Sequence, residues 1–216
     1  LSPAERAEIT IQTKTGIVRG IPHFDFSYEH IVSSVEDSLR ALDTDYLDIL
    51  LLHRPDALVE PEEVARAFDE LEAAGKVRAF GVSNHTPSQI ELLKTAVRQP
   101  IVANQVQLSI AHAPLVAQGV AANMQGLAQS AVLDGGGLVD YARINGITLQ
   151  AWAPMQAPGW KLFLGSPDYP ELNAEIDRLA EAYGVEPIAI ATAWITRHPA
   201  GMQVVLGTTK PSRVEA

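Results

Sequence analysis

Lys14, His53, Ser83-Asn84, Asn104-Gln105, Trp152 and the segment Gly207-Thr208-Thr209-Lys210 share one property: each ends, or stands within, a short apolar run of β-forming residues. Six such runs thus each deliver a hydrogen-bonding or charged group. Taken singly, each residue also has a structural reading. Lys14 could be a solvated rim lysine and His53 a packed, hydrogen-bonded histidine. Ser83-Asn84, just before Thr86-Pro87, could belong to a helix N-cap. Asn104 or Gln105 could be satisfied by backbone groups, and Trp152 could fill a core. Lys210 and Arg213 could be surface charges, and Thr209 or Ser212 could cap a last helix. Their recurrence at run after run is what points to a site. A metal-dependent hydrolase built on His53 and Asp56 fits poorly. Metal sites gather several ligands, whereas the other runs carry amides, a lysine and an indole.

The elements that must position these groups alternate. Ile9 to Thr13 reads as a first strand leading to Lys14. Ser27-Tyr28-Glu29 opens a helix with Ile31, Val32, Val35, Ser38 and Leu39 on one face. Tyr46 to Leu52, apolar apart from Asp48, reads as a strand buried on both faces. Glu62 to Ala74 reads as a helix burying Val64, Phe68 and Leu71, with Gly75 as its C-cap. Strands follow at Val77 to Val82 and Ile101 to Val106, with a helix opened by Pro87 between them. Leu108 to Gly137 is less regular, and Gly135-Gly136-Gly137 reads as a flexible turn. A helix to Ile144, a strand from Ile147 to Ala151 and a Pro/Gly-rich loop from Pro154 to Pro170 come next. Helices from Glu171 to Tyr183 and Pro187 to Arg197 precede a last strand, Gln203 to Leu206.

Regular β-α alternation implies parallel strands with helical crossovers, an α/β fold. The two candidates are the open doubly wound sheet and the (β/α)8 TIM barrel. No Gly-x-Gly-x-x-Gly follows any strand, which disfavours the dinucleotide-binding form of the open sheet. In a barrel the carboxyl ends of the strands build the active site, which is where the polar groups stand. Six strands are counted where a closed barrel has eight, so about six of the eight are present, in one domain over residues 1–216.

With 216 residues, 47% hydrophobic and 19% charged, the chain can bury one substantial core. A formal charge of −10 argues against a nucleic-acid backbone as partner. A phosphorylated small molecule needs only a few local cations and is compatible with it. The absence of cysteine excludes disulfides and thiolate metal sites and fits a reducing compartment. No signal peptide and no membrane-spanning run are visible, so a soluble cytoplasmic protein is the default. No interface for self-association can be read, and a monomer is the starting assumption.

Taken together the segments resemble the aldo-keto reductase family. Ile11-Gln12-Thr13-Lys14 looks like the strand carrying that family's catalytic lysine. Asp45 to Pro55 resembles the segment that ends in its catalytic histidine, here His53. Gly75-Lys76-Val77-Arg78-Ala79-Phe80-Gly81-Val82-Ser83-Asn84 is similar to a highly specific family segment. Asn104-Gln105-Val106 matches its Asn-Gln strand, and Ala151-Trp152-Ala153-Pro154 stands where the family has an aromatic and then serine. Val205 to Arg213 resembles the phosphate-binding end. The likeness is weakest between Ala113 and Gly137 and after Pro154.

The resemblance implies NADPH (NADP+) as cofactor and a small carbonyl compound as substrate. Ser83, Asn84 and Gln105 would hold the nicotinamide carboxamide; Trp152, followed by Ala153, would stack on the ring. Gly207, Thr208 and Thr209 would approach the phosphates, and Lys210 and Arg213 would pair with a 2′-phosphate. No resident metal is implied. The family's proton donor is a tyrosine in an Asp-x-x-x-x-Tyr-Gly segment, and none of Tyr28, Tyr46, Tyr141, Tyr169 and Tyr183 has that context. In the family that segment precedes the lysine strand, where the strand count also falls short. The expectation is therefore that two strands and the Asp/Tyr pair belong before Leu1, and that a last helix is cut at Ala216. Lys14 would lower the phenol pKa from about 10, and His53 would donate to the carbonyl oxygen. The alternative is a non-catalytic NADP(H)-binding subunit or redox sensor of the same fold, which the Asp/Tyr pair would distinguish.

Overall fold

A computed structural model describes residues 2–18, 20, 23–121 and 137–215. These fall into two compact units, Leu1–Asn104 and Gln105–Ala216. In the first, helix α1 (Pro3–Glu8) is opened by Ser2, whose side chain and that of Glu5 cap each other's backbone N–H. Strand β1 (Gln12–Thr15) follows, then a small antiparallel pair, β2 (Ile17–Val18) and β3 (His23–Phe24). Helix α2 (Tyr28–Leu42) starts at Ser27, which accepts from the His30 N–H, and ends at Asp43 in the left-handed region. Its buried residues Ile31, Val35 and Leu39 recur every four positions, one stripe of a helix surface. Strand β4 (Leu47–Leu52), helix α3 (Pro61–Ala73), strand β5 (Val77–Ser83) and helix α4 (Pro87–Leu93) continue the alternation. Strand β6 (Ile101–Gln107) crosses the boundary between the units.

β1, β4 and β5 are parallel neighbours in that order, with Lys14 level with Leu51 and Leu51 level with Gly81. Leu50 and Phe80 are likewise level, and Phe80 stacks on Phe68 of α3 at 4.0 Å, so that face of the strands meets the helices. Side chains alternate faces along a strand. Lys14, Leu51 and Gly81 therefore point to the other face, as do His53 and Ser83 two residues further on.

The second unit contains α5 (Pro114–Val120), α6 (Leu138–Asn145), β7 (Thr148–Trp152), α7 (Pro170–Tyr183), α8 (Pro187–Thr196), β8 (Gln203–Val204) and α9 (Pro211–Glu215). β7 and β8 pair in parallel, Gln150 with Gln203 and Ala151 with Val204. The loop after β7 is anchored by its own small core of Ala157, Phe163, Ile176 and Ala191. Asn173 of α7 ties it further, donating to the carbonyls of Phe163 (2.9 Å), Ser166 (3.1 Å) and Tyr169 (2.8 Å).

Several boundaries differ from the sequence reading. The first strand runs Gln12–Thr15 rather than from Ile9, because the Arg6 guanidinium takes the Ile9 carbonyl at 3.0 Å and holds that residue outside the ladder. The last strand stops at Val204, although the Val205 N–H still reaches the Ala151 carbonyl at 2.9 Å. The C-cap of α3 is Ala74, with Gly75 next at φ +69°. α1, α5 and the β2–β3 pair were not anticipated. Of the glycine run, Gly135 and Gly136 lie outside the described residues, while Gly137 adopts φ 81° and opens α6.

Gly81 is held by sterics. A Cβ there would sit 2.6 Å from Leu51 Cδ2 and 2.7 Å from the Ala103 carbonyl oxygen. Gly81→Ala should destabilise the protein by about 1–3 kcal/mol, read as a lower urea midpoint at unchanged m-value.

Candidate active site

The first unit supplies an ammonium and an imidazole. Lys14 is half-buried, and loss of hydration lowers its pKa from the ordinary lysine value. His53 follows β4, its N–H donating to the Thr15 carbonyl at 2.9 Å. Burial, then the Lys14 charge, then the Arg54 charge lower the pKa of His53. The two side chains therefore share one electrostatic neighbourhood, and both are pushed toward the neutral form. A neutral imidazole beside a cation retains one N–H to donate and resists a second proton.

Ser83 is buried at the end of β5, and Asn84 turns the chain with φ 59°, its Nδ2 donating to Ser83 Oγ at 2.8 Å. Asparagine tolerates this left-handed conformation better than most residues. His85 was not singled out from sequence. It is buried, with Nδ1 3.0 Å from the Ser83 carbonyl and its ring parallel to Phe26 at 6.1 Å. Asn104, fully buried, donates from Nδ2 to the His85 carbonyl at 2.8 Å. This polar corner holds the Ser83-Asn84 turn from behind. A GVSNH string offers no period or spacing by which its last residue could have been recognised as buried.

Asp56, the other half of the metal-hydrolase reading, spends its carboxylate on the N–H groups of Phe26 (3.1 Å) and Leu58 (2.9 Å). Among the described residues no group of three His, Asp or Glu is placed to hold a metal ion. The first unit's tyrosines are engaged elsewhere. Tyr28 hydrogen-bonds Glu70, which raises its phenol pKa, and Tyr46 lies between the guanidinium groups of Arg6 (3.9 Å) and Arg78 (3.7 Å).

In the second unit, Gln105 is buried and donates to Gln150 Oε1 at 3.2 Å. Trp152 ends β7 with its ring stacked on Trp160 at 5.9 Å and 22°. Trp160 was not singled out from sequence; it has φ 64°, unusual for a bulky residue. Ala153, with φ 53°, lines a cavity of about 750 Å3 together with Gly207, Thr208, Ser212 and Arg213. Four of the residues chosen from sequence thus share one cavity. Thr209 and Lys210 lie outside its lining; the Lys210 N–H donates to Thr208 Oγ1 at 3.2 Å. Met155, Leu162, Asp177, Glu186, Pro187 and Ile188 also line it. They come from the loop after β7 and from α7 and the start of α8, where no sequence pattern pointed to a site.

Parallel β-α units that present functional groups from strand carboxyl ends are the hallmark of (β/α)8-barrel proteins. Within that class the chain belongs to the aldo/keto reductase family, whose family model matches residues 2–216. It is 36% identical to a 6-dehydroglucose reductase of Agrobacterium fabrum, over 99% of this chain and 67% of that protein. It is 35% identical to the oxidoreductase YdhF of Escherichia coli, over 100% of this chain and 68% of that one. A crystal structure of a thermostable aldo-keto reductase with the inhibitor epalrestat superposes with a TM-score of 0.73 at 23% identity, covering 97% of this chain and 65% of that one. The chain thus spans about two thirds of the length of these proteins.

His85 gives the site a pH dependence. Its pKa is lowered from 6.5 to about 4, by burial first, opposed by the Ser83 carbonyl. Unfolded, the imidazole takes a proton near pH 6.5; folded, it resists until about pH 4. Its contribution is therefore complete above pH 6.5, shrinks as pH falls, and is gone near pH 4, a change of roughly 3 kcal/mol. Urea unfolding at pH 7 and pH 4.5 should show a smaller acid loss for His85→Gln than for the parent protein.

Proposed function

We propose that the protein reduces aldehydes or ketones to alcohols with NADPH, as a cytoplasmic enzyme acting on a small carbonyl substrate. One observation carries this reading: the β1–β4–β5 register sets Lys14, His53 and Ser83 on one strand face at the carboxyl ends, with Lys14 and His53 in electrostatic contact. Membership of an oxidoreductase family supports it. Among the described residues no helix is long and apolar enough to cross a membrane.

The residues of the second unit suit a dinucleotide. A Cβ added at Gly207 would meet nothing within 4 Å, so its backbone is open to close approach. Arg213 lines the same cavity and can pair with a phosphate through a planar guanidinium. Asp177 and Glu186 in that lining can accept from sugar hydroxyls. Ser83, Asn84 and Gln105 would hold the carboxamide, Trp152 and Ala153 would flank the ring, and Gly207, Thr208, Thr209, Lys210 and Arg213 would hold the phosphate end. The cofactor, when bound, supplies the hydride. His53, kept neutral, donates an N–H to the carbonyl oxygen and orients it. Lys14, half-buried, keeps a positive charge where an acid must give up its proton, and so lowers the pKa of a phenol placed beside it.

The test is turnover by the full-length protein, following NADPH absorbance with a panel of aldehydes and ketones. Substrate-dependent oxidation is expected; a preparation that neither binds NADPH nor oxidises it with any carbonyl refutes the reading. His53→Gln should lower kcat by roughly 100-fold or more with NADPH affinity retained. Arg213→Ala should weaken NADPH by about tenfold and leave NADH nearly unchanged, measured by quenching of tryptophan fluorescence.

A further inference from the structure

The segments that leave the lysine strand and the histidine strand are tied to each other twice. Directly beyond β4, the His53 N–H donates to the Thr15 carbonyl at 2.9 Å. Asp56 makes the second tie: its Oδ2 accepts from the Phe26 N–H at 3.1 Å, while Oδ1 accepts from the Leu58 N–H at 2.9 Å. Phe26 is itself fixed against the end of β1. It is buried, the Asp25 N–H beside it donates to the Gly16 carbonyl at 3.0 Å, and a Cβ at Gly16 would overlap the Phe26 ring. These contacts close a circuit from Thr15 to His53, on to Asp56, across to Phe26 and back through Gly16. His53 lies in that circuit and Lys14 adjoins it. Only Arg54 and Pro55 separate His53 from Asp56. A proline fixes its own φ and confines the residue before it to extended backbone, so the linkage is stiff. Where Asp56 is held, the main chain of His53 is held.

We infer that Asp56 is a positioning residue for the carbonyl reduction: by accepting from the Phe26 N–H, it fixes where the His53 imidazole stands relative to Lys14. The inference rests on the reductase reading and adds to it a residue that acts through the main chain of His53. The two bonds of the carboxylate have different reach. The Leu58 bond is local and shapes a turn. The Phe26 bond joins positions 30 residues apart and is the one that couples the two strands' exits.

The experiment compares Asp56→Asn and Asp56→Ala with the parent, all as full-length protein. Asparagine has a single acceptor oxygen. It keeps the local turn to Leu58, which asparagine favours, and meets the Phe26 N–H with a donor. It thus cuts the long tie alone, whereas alanine removes both bonds. Each variant should lower kcat with an aldehyde by about tenfold, with the NADPH dissociation constant within about twofold of the parent. The His53 imidazole, titrated by NMR without cofactor, should take its proton at higher pH in both variants, because a loosened circuit hydrates it and frees it to move from Lys14. Loss of the carboxylate charge alone would shift that titration downward, so a rise reports position. A His53 titration unmoved or lowered in Asp56→Asn would overturn the inference, as would a parent-like kcat, or matching losses of kcat and NADPH affinity. A parent that neither binds NADPH nor reduces any carbonyl would overturn the reductase reading instead, and the His53 titration then decides whether Asp56 sets that imidazole.

Discussion

Everything proposed for the first unit depends on the register between β1 and β4. A slip of one residue would turn Lys14 toward the helices and bring a threonine to the face where His53 stands. Apolar packing prevents it. Leu50, Leu52, Phe80 and Val82 fill the helix-facing side, with Phe80 on Phe68, and a slipped strand would leave that layer unfilled. The N-terminal end is tied as well, since Asp48 accepts the Ile11 N–H at 2.9 Å and pairs with Arg6 at 2.9 Å. The reactive groups contribute little to this positioning. They inherit it from residues that do no chemistry.

The two ends of the same strands treat charge in opposite ways. At the start of β4, Asp48 is shared between Arg6 and Arg78, and their guanidinium groups sandwich Tyr46. Opposite charges and an aromatic face satisfy one another there, which suits an end that only has to hold. At the far end, burial lowers the proton affinity of both Lys14 and His53, and the Lys14 charge further disfavours a proton on His53. Such an arrangement costs stability and is useful where a proton or a hydrogen bond must be delivered.

The second unit builds its site by a different device. The stretch after β7 has no regular ladder, yet Phe163 is buried in a small core and Asn173 gathers three carbonyls around it. The loop is thereby a fixed wall of the cavity that also holds Gly207, Thr208 and Arg213. Its exposed tip presents Trp160 to Trp152. Specificity can diverge in such a loop because its anchors, not its tip, carry its fold.

The sequence by itself determined the alternation of strands and helices, since apolar stripes spaced for helices and short β-branched runs are local patterns. It also determined which residue types end the strands, and the family follows from the specific run ending in Ser83-Asn84. The short α1, the β2–β3 pair and α5 were invisible because they have too few residues to show a period. Only the tertiary structure decided that His85 is buried behind the Ser83-Asn84 turn, that Gln105 donates to Gln150 and Gln150 to Gln203, and that Asp177 and Glu186 share a cavity with Arg213. Apart from the bond between His85 and the Ser83 carbonyl, these bring together residues that are not neighbours in the chain. Hydrogen-bond direction and desolvation arise from neighbours in space, and no spacing along the chain encodes them.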